Sequence, residues 1–259
     1  PMDFVKSHIL SILTFLPLVG ALIVMALPKD EHGQIRFTAL FTSVVGFGLS
    51  LPLWSWYDTA AAGIQFEERY DWLPALGMSW HLGIDGIALL LILLTTFLAP
   101  IVILSTFGSI NTRVQELMAS LLVLQTAMVG TFAALDLVVF YVFWELMLVP
   151  LYLLVGIWGS ENRIYAAVKF FIYTAVGSLL MLAAILYLYW QTKSLPGATG
   201  PSFDYADFAK LSLSATEQAW LFGAKYALAR SVTGLRAEGS SRVLSLSDGR
   251  EISCRAVLI

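Results

Sequence analysis

The 259-residue sequence predicts an all-α polytopic membrane protein: six transmembrane helices with part of a seventh, a short extracytoplasmic β-hairpin, and a short β-type C-terminal tail. Three observations predict it. Hydrophobic residues make up 58% of the chain and charged residues 13%, against about 25% charged in a soluble domain. Mean hydropathy is +0.79. The apolar residues fall in runs of about 20, the length that crosses the hydrocarbon of a bilayer. Together these exclude a soluble globular enzyme and a disordered chain. A net charge of −3 leaves no basic footprint for nucleic acid.

Six runs qualify: Ile9–Leu27, Phe37–Trp56, Ile87–Phe107, Leu117–Leu135, Leu137–Trp158 and Phe170–Trp190. Backbone groups in lipid must be satisfied within the segment, so the runs read as helices. The first could be taken for a signal peptide, but the stretch 26–30 (Ala-Leu-Pro-Lys-Asp) is a poor cleavage site, and it reads as a retained span. Runs four and five are parted only by Asp136, so the chain must reverse within a very short link. Asp136 is expected to cap the fifth helix by accepting a backbone N–H; the alternative is a direct part in ion transfer.

With six spans, Lys29, Arg36, Arg113, Arg163 and Lys169 fall on one side, and Lys6, Arg69, Lys193 and Lys210 on the other. The second set lies in longer loops with Asp58, Glu67, Glu68 and Asp71. The positive-inside rule then puts the N-terminus on the extracytoplasmic side. Within Asp58–Gly83, the alternating runs Phe66–Trp72 and Met78–Leu82 flank a Pro- and Gly-containing turn, a hairpin signal. Its Trp and Tyr residues suit the headgroup level.

From about Lys225 the composition turns polar. Gly234–Ile259 carries four arginines and two alternating runs, Arg242–Leu246 and Glu251–Ile259, around the turn 247–250 (Ser-Asp-Gly-Arg). Ala219–Leu228 is apolar apart from Lys225 but too short to span. Residues 1–223 are therefore expected to be membrane domain, and 224–259 an unrelated soluble-type tail joined by fusion or frameshift.

Glu145, the ninth residue of the fifth run, is the chemically informative one. A carboxylate at mid-bilayer costs roughly 2.5–3.5 kcal/mol and marks a functional site by default. Desolvation favours its neutral form, while a nearby cation favours the charged one, so the group can take up and release a proton. Pro150 lacks an N–H and clashes with the Leu146 carbonyl, leaving an irregularity beside the acid where water can enter. A carboxylic acid hydrogen-bonded between helices is the structural alternative, but no polar neighbour within the span suggests one. Lys169 reads either as a snorkelling side chain or as a basic partner, and Arg163 as an interfacial anchor. Gln125 is expected to hydrogen-bond across helices as a packing residue. Gly46, Gly48 and Gly177 are expected at close helix contacts. His8, His32 and His81 lack ligand spacing, and Cys254 is the sole cysteine, so no metal or haem site is expected. No phosphate loop or dinucleotide fingerprint occurs, so no cofactor is expected either: no NADH, flavin or iron–sulfur cluster.

Two stretches carry a resemblance. Trp72-Leu-Pro-Ala-Leu-Gly77 with Trp80-His-Leu-Gly-Ile-Asp-Gly86 is one; Phe143-Trp-Glu-Leu-Met-Leu-Val-Pro150 with Ala166-Ala-Val-Lys-Phe-Phe-Ile-Tyr173 is the more specific. Over about residues 3–223 the chain resembles the chain M (chain 4) family of antiporter-like subunits of proton-translocating NADH:quinone oxidoreductase, respiratory complex I. The resemblance implies about fourteen helices in two inverted repeats. It implies proton movement driven by electron transfer elsewhere in the complex, with no redox chemistry in this chain itself. The family's mid-membrane glutamate maps onto Glu145, and the lysine at the head of its sixth helix onto Lys169, as a proton path. Implied partners are the other membrane subunits of the complex and the lipid bilayer, with quinone and NADH met only through other subunits. The implied location is the cell inner (cytoplasmic) membrane. The family's seventh-helix lysine would fall near position 232, where this chain has Val232; Lys225 does not take its place. An Mrp-type cation/proton antiporter or a membrane hydrogenase subunit shares the Trp-Glu and Lys-Phe-Phe elements. A non-transporting membrane fragment is the further alternative. The tail resembles a strand pair of thioredoxin-reductase-like flavoproteins without either fingerprint, so no flavin site is implied.

Overall fold

The computed structural model describes residues 6–61, 63–196, 198 and 200–213, together with the backbone of 232–238, 241–246 and 251–254. The chain divides into two compact units, Pro1–Leu211 and Ser212–Ile259. In the first, six helices are long and apolar enough to cross a membrane. They are α1 (Ile9–Ala26), α2 (His32–Trp56), α3 (Gly86–Ser105), α4 (Val114–Ala133), α5 (Leu137–Trp158) and α6 (Arg163–Gln191), followed by the single turn α7 (Tyr205–Phe208). α2 and α6 begin five and seven residues before the apolar runs, since a helix continues into polar sequence where its N–H groups meet water.

Between α2 and α3 stands the expected hairpin, β1 (Gln65–Leu73) and β2 (Met78–Ile84), antiparallel, with Arg69 opposite His81 and Tyr70 opposite Trp80. Gly77 at its turn has φ +66°, and a Cβ there would lie 2.1 Å from the Pro201 carbonyl oxygen. Both the conformation and the close approach require glycine.

α4 is the centre of the bundle. It packs on α1, α2, α3 and α5, and 67% of its most apolar stretch is buried, against 11% for α6, which packs chiefly on α5. The apolar side chains exposed along α1, α3 and α6 suit lipid, where they need no cover. Close approaches occur at Gly20, where a Cβ would sit 2.4 Å from Thr42, and at Gly130, 2.5 Å from the Phe143 ring. Gly46 is at ordinary contact distance from Gln125, whereas Gly48 and Gly177 face open space. The expectation of close packing therefore fails at the last two; composition within a span does not reveal which face a glycine occupies.

Side chains from elsewhere close the helix ends. His8 gives α1 no side-chain cap. Instead the buried Glu68 of β1 accepts from the backbone N–H groups of Leu10 (2.7 Å) and Ser11 (3.2 Å), and from the Ser11 hydroxyl. This places an anion on the positive helix end. At the other end of α1, the Gln115 amide donates to the carbonyls of Val24, Met25 and Leu27. On that same side, Arg36 donates to the Ile110 carbonyl and to Asn111.

The second unit contains β3 (Val232–Glu238), β4 (Ser241–Leu246) and β5 (Glu251–Cys254) in one antiparallel sheet, ordered β3-β4-β5. The tail hairpin expected from the sequence is β4 with β5; β3 is additional to it, and Gly234, at a register shift, puts Val232 out of phase with Leu235 and hides the alternation. The expected helical stub at Ala219–Leu228 and the turn at 247–250 lie outside the described residues.

Candidate functional site

Glu145 sits in the first half of α5, whose start is fixed by Asp136. As expected, Asp136 caps the helix, accepting from Val138 and Val139 N–H (2.9 and 3.3 Å); its other oxygen accepts from the Ser79 N–H of β2 at 2.8 Å. Asp136 is fully buried, so this double duty satisfies a charge that burial would otherwise make costly.

One oxygen of Glu145, Oε1, is buried with no hydrogen-bond partner among the described residues. Tyr141, one turn earlier on the same face, brings its hydroxyl within interaction range of both the Glu145 carboxylate and the Ser178 side chain of α6. Ser178 is buried and donates to the Ala175 carbonyl at 3.0 Å. The sequence reading that Glu145 lacks polar neighbours is therefore corrected: a tyrosine hydroxyl four residues back is one, and i, i+4 spacing could have found it. Pro150 lies inside α5 and is buried, so the Leu146 carbonyl has no intrahelical N–H to accept from. The arrangement is a carboxyl group between two helices, with a hydroxyl pair on one side and a freed carbonyl on the next residue. It can hold a proton and hydrogen-bond to water.

Lys169 is not brought to this site. It precedes Ser178 by nine residues, half a turn out of phase, and so faces away from α5. Its ammonium lies 5.7 Å from the Tyr165 ring on the exposed face of α6. Neither Glu145 nor Lys169 forms an ion pair among the described residues. Arg163 is the first residue of α6, where an interfacial anchor belongs. Gln125 is buried, yet neither atom of its amide is hydrogen-bonded among the described residues, which corrects the cross-helix bond expected of it. Its amide nitrogen lies 3.5 Å from where a Cβ on Gly46 of α2 would stand, so it packs against that helix without bonding to it.

The sequence reading missed a polar cluster on the hairpin side. Asp204 caps α7 by accepting from the Ala206 N–H (2.9 Å), and its other oxygen lies 3.0 Å from both His81 Nδ1 and Arg69 Nη1. Burial alone would raise the Asp204 carboxyl. The His81 hydrogen bond, the Ala206 N–H, the charge of His81 once protonated and that of Arg69 together outweigh it and hold the group below its ordinary 3.8. Backbone bonds tie the same region: Leu135 N–H to the His81 carbonyl (2.9 Å), Leu137 N–H to Phe203 (2.9 Å) and Tyr205 N–H to Leu135 (2.8 Å). Asp204 lies far in sequence from Arg69 and His81, and all three are outside the apolar runs, so no local pattern announces the cluster.

Residues 134–213 match the family model described as NADH:quinone oxidoreductase/Mrp antiporter, TM. The chain is 43% identical over 203 residues to NADH-quinone oxidoreductase subunit M of Rhodobacter capsulatus, covering 77% of this chain and 39% of that one. It is 42% identical over 184 residues to NADH-ubiquinone oxidoreductase chain 4 of Marchantia polymorpha, covering 71% and 37%. In three dimensions it resembles a chain of respiratory complex I from Thermus thermophilus, with a TM-score of 0.68 and 30% identity over 82% of this chain and 41% of that one. A chain of the Mrp complex from Dietzia shares the fold, with a TM-score of 0.57 at 21% identity, over 70% of this chain and 20% of that one. The chain spans about two fifths of the length of the curated relatives it matches. The likeness of the tail to a flavoprotein finds no support in these matches. A six-span bundle with this hairpin, and these relatives, make it a multi-pass membrane protein that resembles, and over residues 134–213 matches, the NADH:quinone oxidoreductase/Mrp antiporter membrane family.

Proposed function

We propose that residues 1–223 are part of a proton-translocating membrane subunit of NADH:quinone oxidoreductase, in which electron transfer elsewhere in the complex drives protons through a path that includes Glu145. One observation carries the reading: a carboxyl group in the first half of a membrane span, with one oxygen buried and without a partner among the described residues, next to a proline-freed carbonyl. Lys169 is the proposed basic group at the head of the sixth span; its position on the outer face of α6 means that it acts through whatever covers that face. Other membrane subunits of the complex are the proposed partners, and the inner membrane the proposed location. The distribution of Lys and Arg supports an extracytoplasmic N-terminus and hairpin. The tail from 224 is proposed to be an unrelated segment joined by fusion or frameshift, which one DNA read across the codons for Phe222–Tyr226 decides.

The test is NADH-driven proton uptake in membrane vesicles whose complex contains this chain, with and without Glu145→Gln. The variant is expected to lose most proton uptake per NADH oxidised, with the complex still assembled. An unchanged ratio of protons moved to NADH oxidised overturns the reading. The family also contains Mrp-type antiporters; exchange of Na⁺ for protons without NADH would favour that function instead.

A further inference from the structure

We propose that His81 and Asp204 form a carboxylate–imidazole pair that takes up and releases a proton at His81 Nε2 on the hairpin side of the bundle. Asp204 Oδ2 lies 3.0 Å from His81 Nδ1, and both side chains are buried. An ionised carboxylate only accepts, so Nδ1 carries the hydrogen and donates it. Nε2 is buried as well and has no partner among the described residues. A bare nitrogen lone pair in that position costs less than a cationic N–H with nothing to donate to. The resting imidazole is therefore neutral, protonated at Nδ1 and basic at Nε2, with a carboxylate already placed to hold the imidazolium that forms. Protonation moves one proton from water onto Nε2; release returns it to water.

Three charged groups face the ring. Asp204 comes from the segment after α6. Arg69, opposite His81 on β1, shares the same Asp204 oxygen but leaves its own side chain 58% exposed, so water screens its repulsion. Asp136, from the link between α4 and α5, lies beside Ser79, two residues along β2. Water comes close, because a groove of about 690 Å³ is lined by Arg69, Ser79 and Ser202, which flank His81 and Asp204 in sequence or across the hairpin. A place for this pair in proton translocation rests on the function proposed above; the protonation chemistry does not.

The experiment is ¹⁵N-histidine NMR of the full chain in nanodiscs from acid to alkaline pH, with His81→Gln assigning the signal. The wild-type ring is expected to hold its proton on Nδ1, with Nε2 bare, at alkaline pH and to gain a second proton at Nε2 on acidification. In Asp204→Asn, which keeps an acceptor for the α7 cap, half-protonation should need about tenfold or more acid. Should that variant not fold, Arg69→Gln gives the opposite shift, protonation with less acid. A proton resting on Nε2, or a titration that neither variant moves, overturns the proposal. Glu145→Gln leaves this titration unchanged, so failure of the pair and failure of Glu145 in translocation are separate results.

Discussion

Removing the carboxylate of Glu68 should loosen the start of α1 without touching a residue inside the membrane. In Glu68→Ala, the Leu10 N–H at 2.7 Å and the Ser11 N–H at 3.2 Å both lose an ionised acceptor, and the Ser11 hydroxyl loses its partner. Hydrogen bonds to a charged group contribute about 1.5–3 kcal/mol each, and a buried donor left unsatisfied costs about 1–3 kcal/mol. The interaction of the charge with the helix end adds up to about 2 kcal/mol in a partly buried site. These contributions overlap, and breaking one partner of a buried charged contact typically costs about 3–5 kcal/mol in all. Glu68→Gln keeps an acceptor oxygen and loses the charge, so about 1–2 kcal/mol is expected. Hydrogen exchange at Leu10 and Ser11 in nanodiscs reads this directly: every 1.4 kcal/mol is tenfold, so Glu68→Ala should speed exchange by on the order of 100-fold or more. Exchange within threefold of wild type, or equal in the two variants, refutes the reasoning.

Two other perturbations follow from the packing and the charges. Gly130→Ala puts a methyl group 2.5 Å from the Phe143 ring and should lower stability in SDS titration by about 1–3 kcal/mol, whereas Gly48→Ala, which meets nothing, should be neutral or gain about 0.4–1 kcal/mol; the reverse order would sink the packing argument. Asp204 is held below its ordinary 3.8 in the folded chain, so its contribution is complete above about pH 4 and is lost as the pH falls through the folded value. Unfolding midpoints should therefore drop in that acid window for wild type and stay flatter in Asp204→Asn, and identical profiles would contradict it.

What the sequence made legible was whatever a local pattern carries. Apolar runs of bilayer length located all six spans, alternation located the hairpin, and an acid before an apolar run located the Asp136 cap. Glu145 stood out because one charge in an apolar run is rare and expensive. What stayed hidden depends on which residues meet. Glu68 reaches a helix 58 residues earlier, and His81 meets Asp204 across 123 residues. The glycine errors have the same root: Gly130 and Gly48 look alike in an apolar run, and only packing shows that one faces Phe143 and the other nothing. The half-turn offset of Lys169 from Ser178 is countable in the sequence, but which face that makes it needs the packing of α6 on α5.

The stitched link at 134–136 turns α5 into a cantilever. Its root is clamped, because backbone bonds to His81, Phe203 and Tyr205 and the two oxygens of Asp136 fix the first turn. Its tip, beyond Pro150, is tethered by Trp158, whose indole donates to the Thr112 carbonyl in the opposite loop. With the root held through the backbone and the tip through one indole bond, the proline is the weakest point of the rod, and bending falls between Leu146 and Pro150. Glu145 stands on the clamped side of that proline, so a bend there leaves the carboxyl at its depth in the membrane.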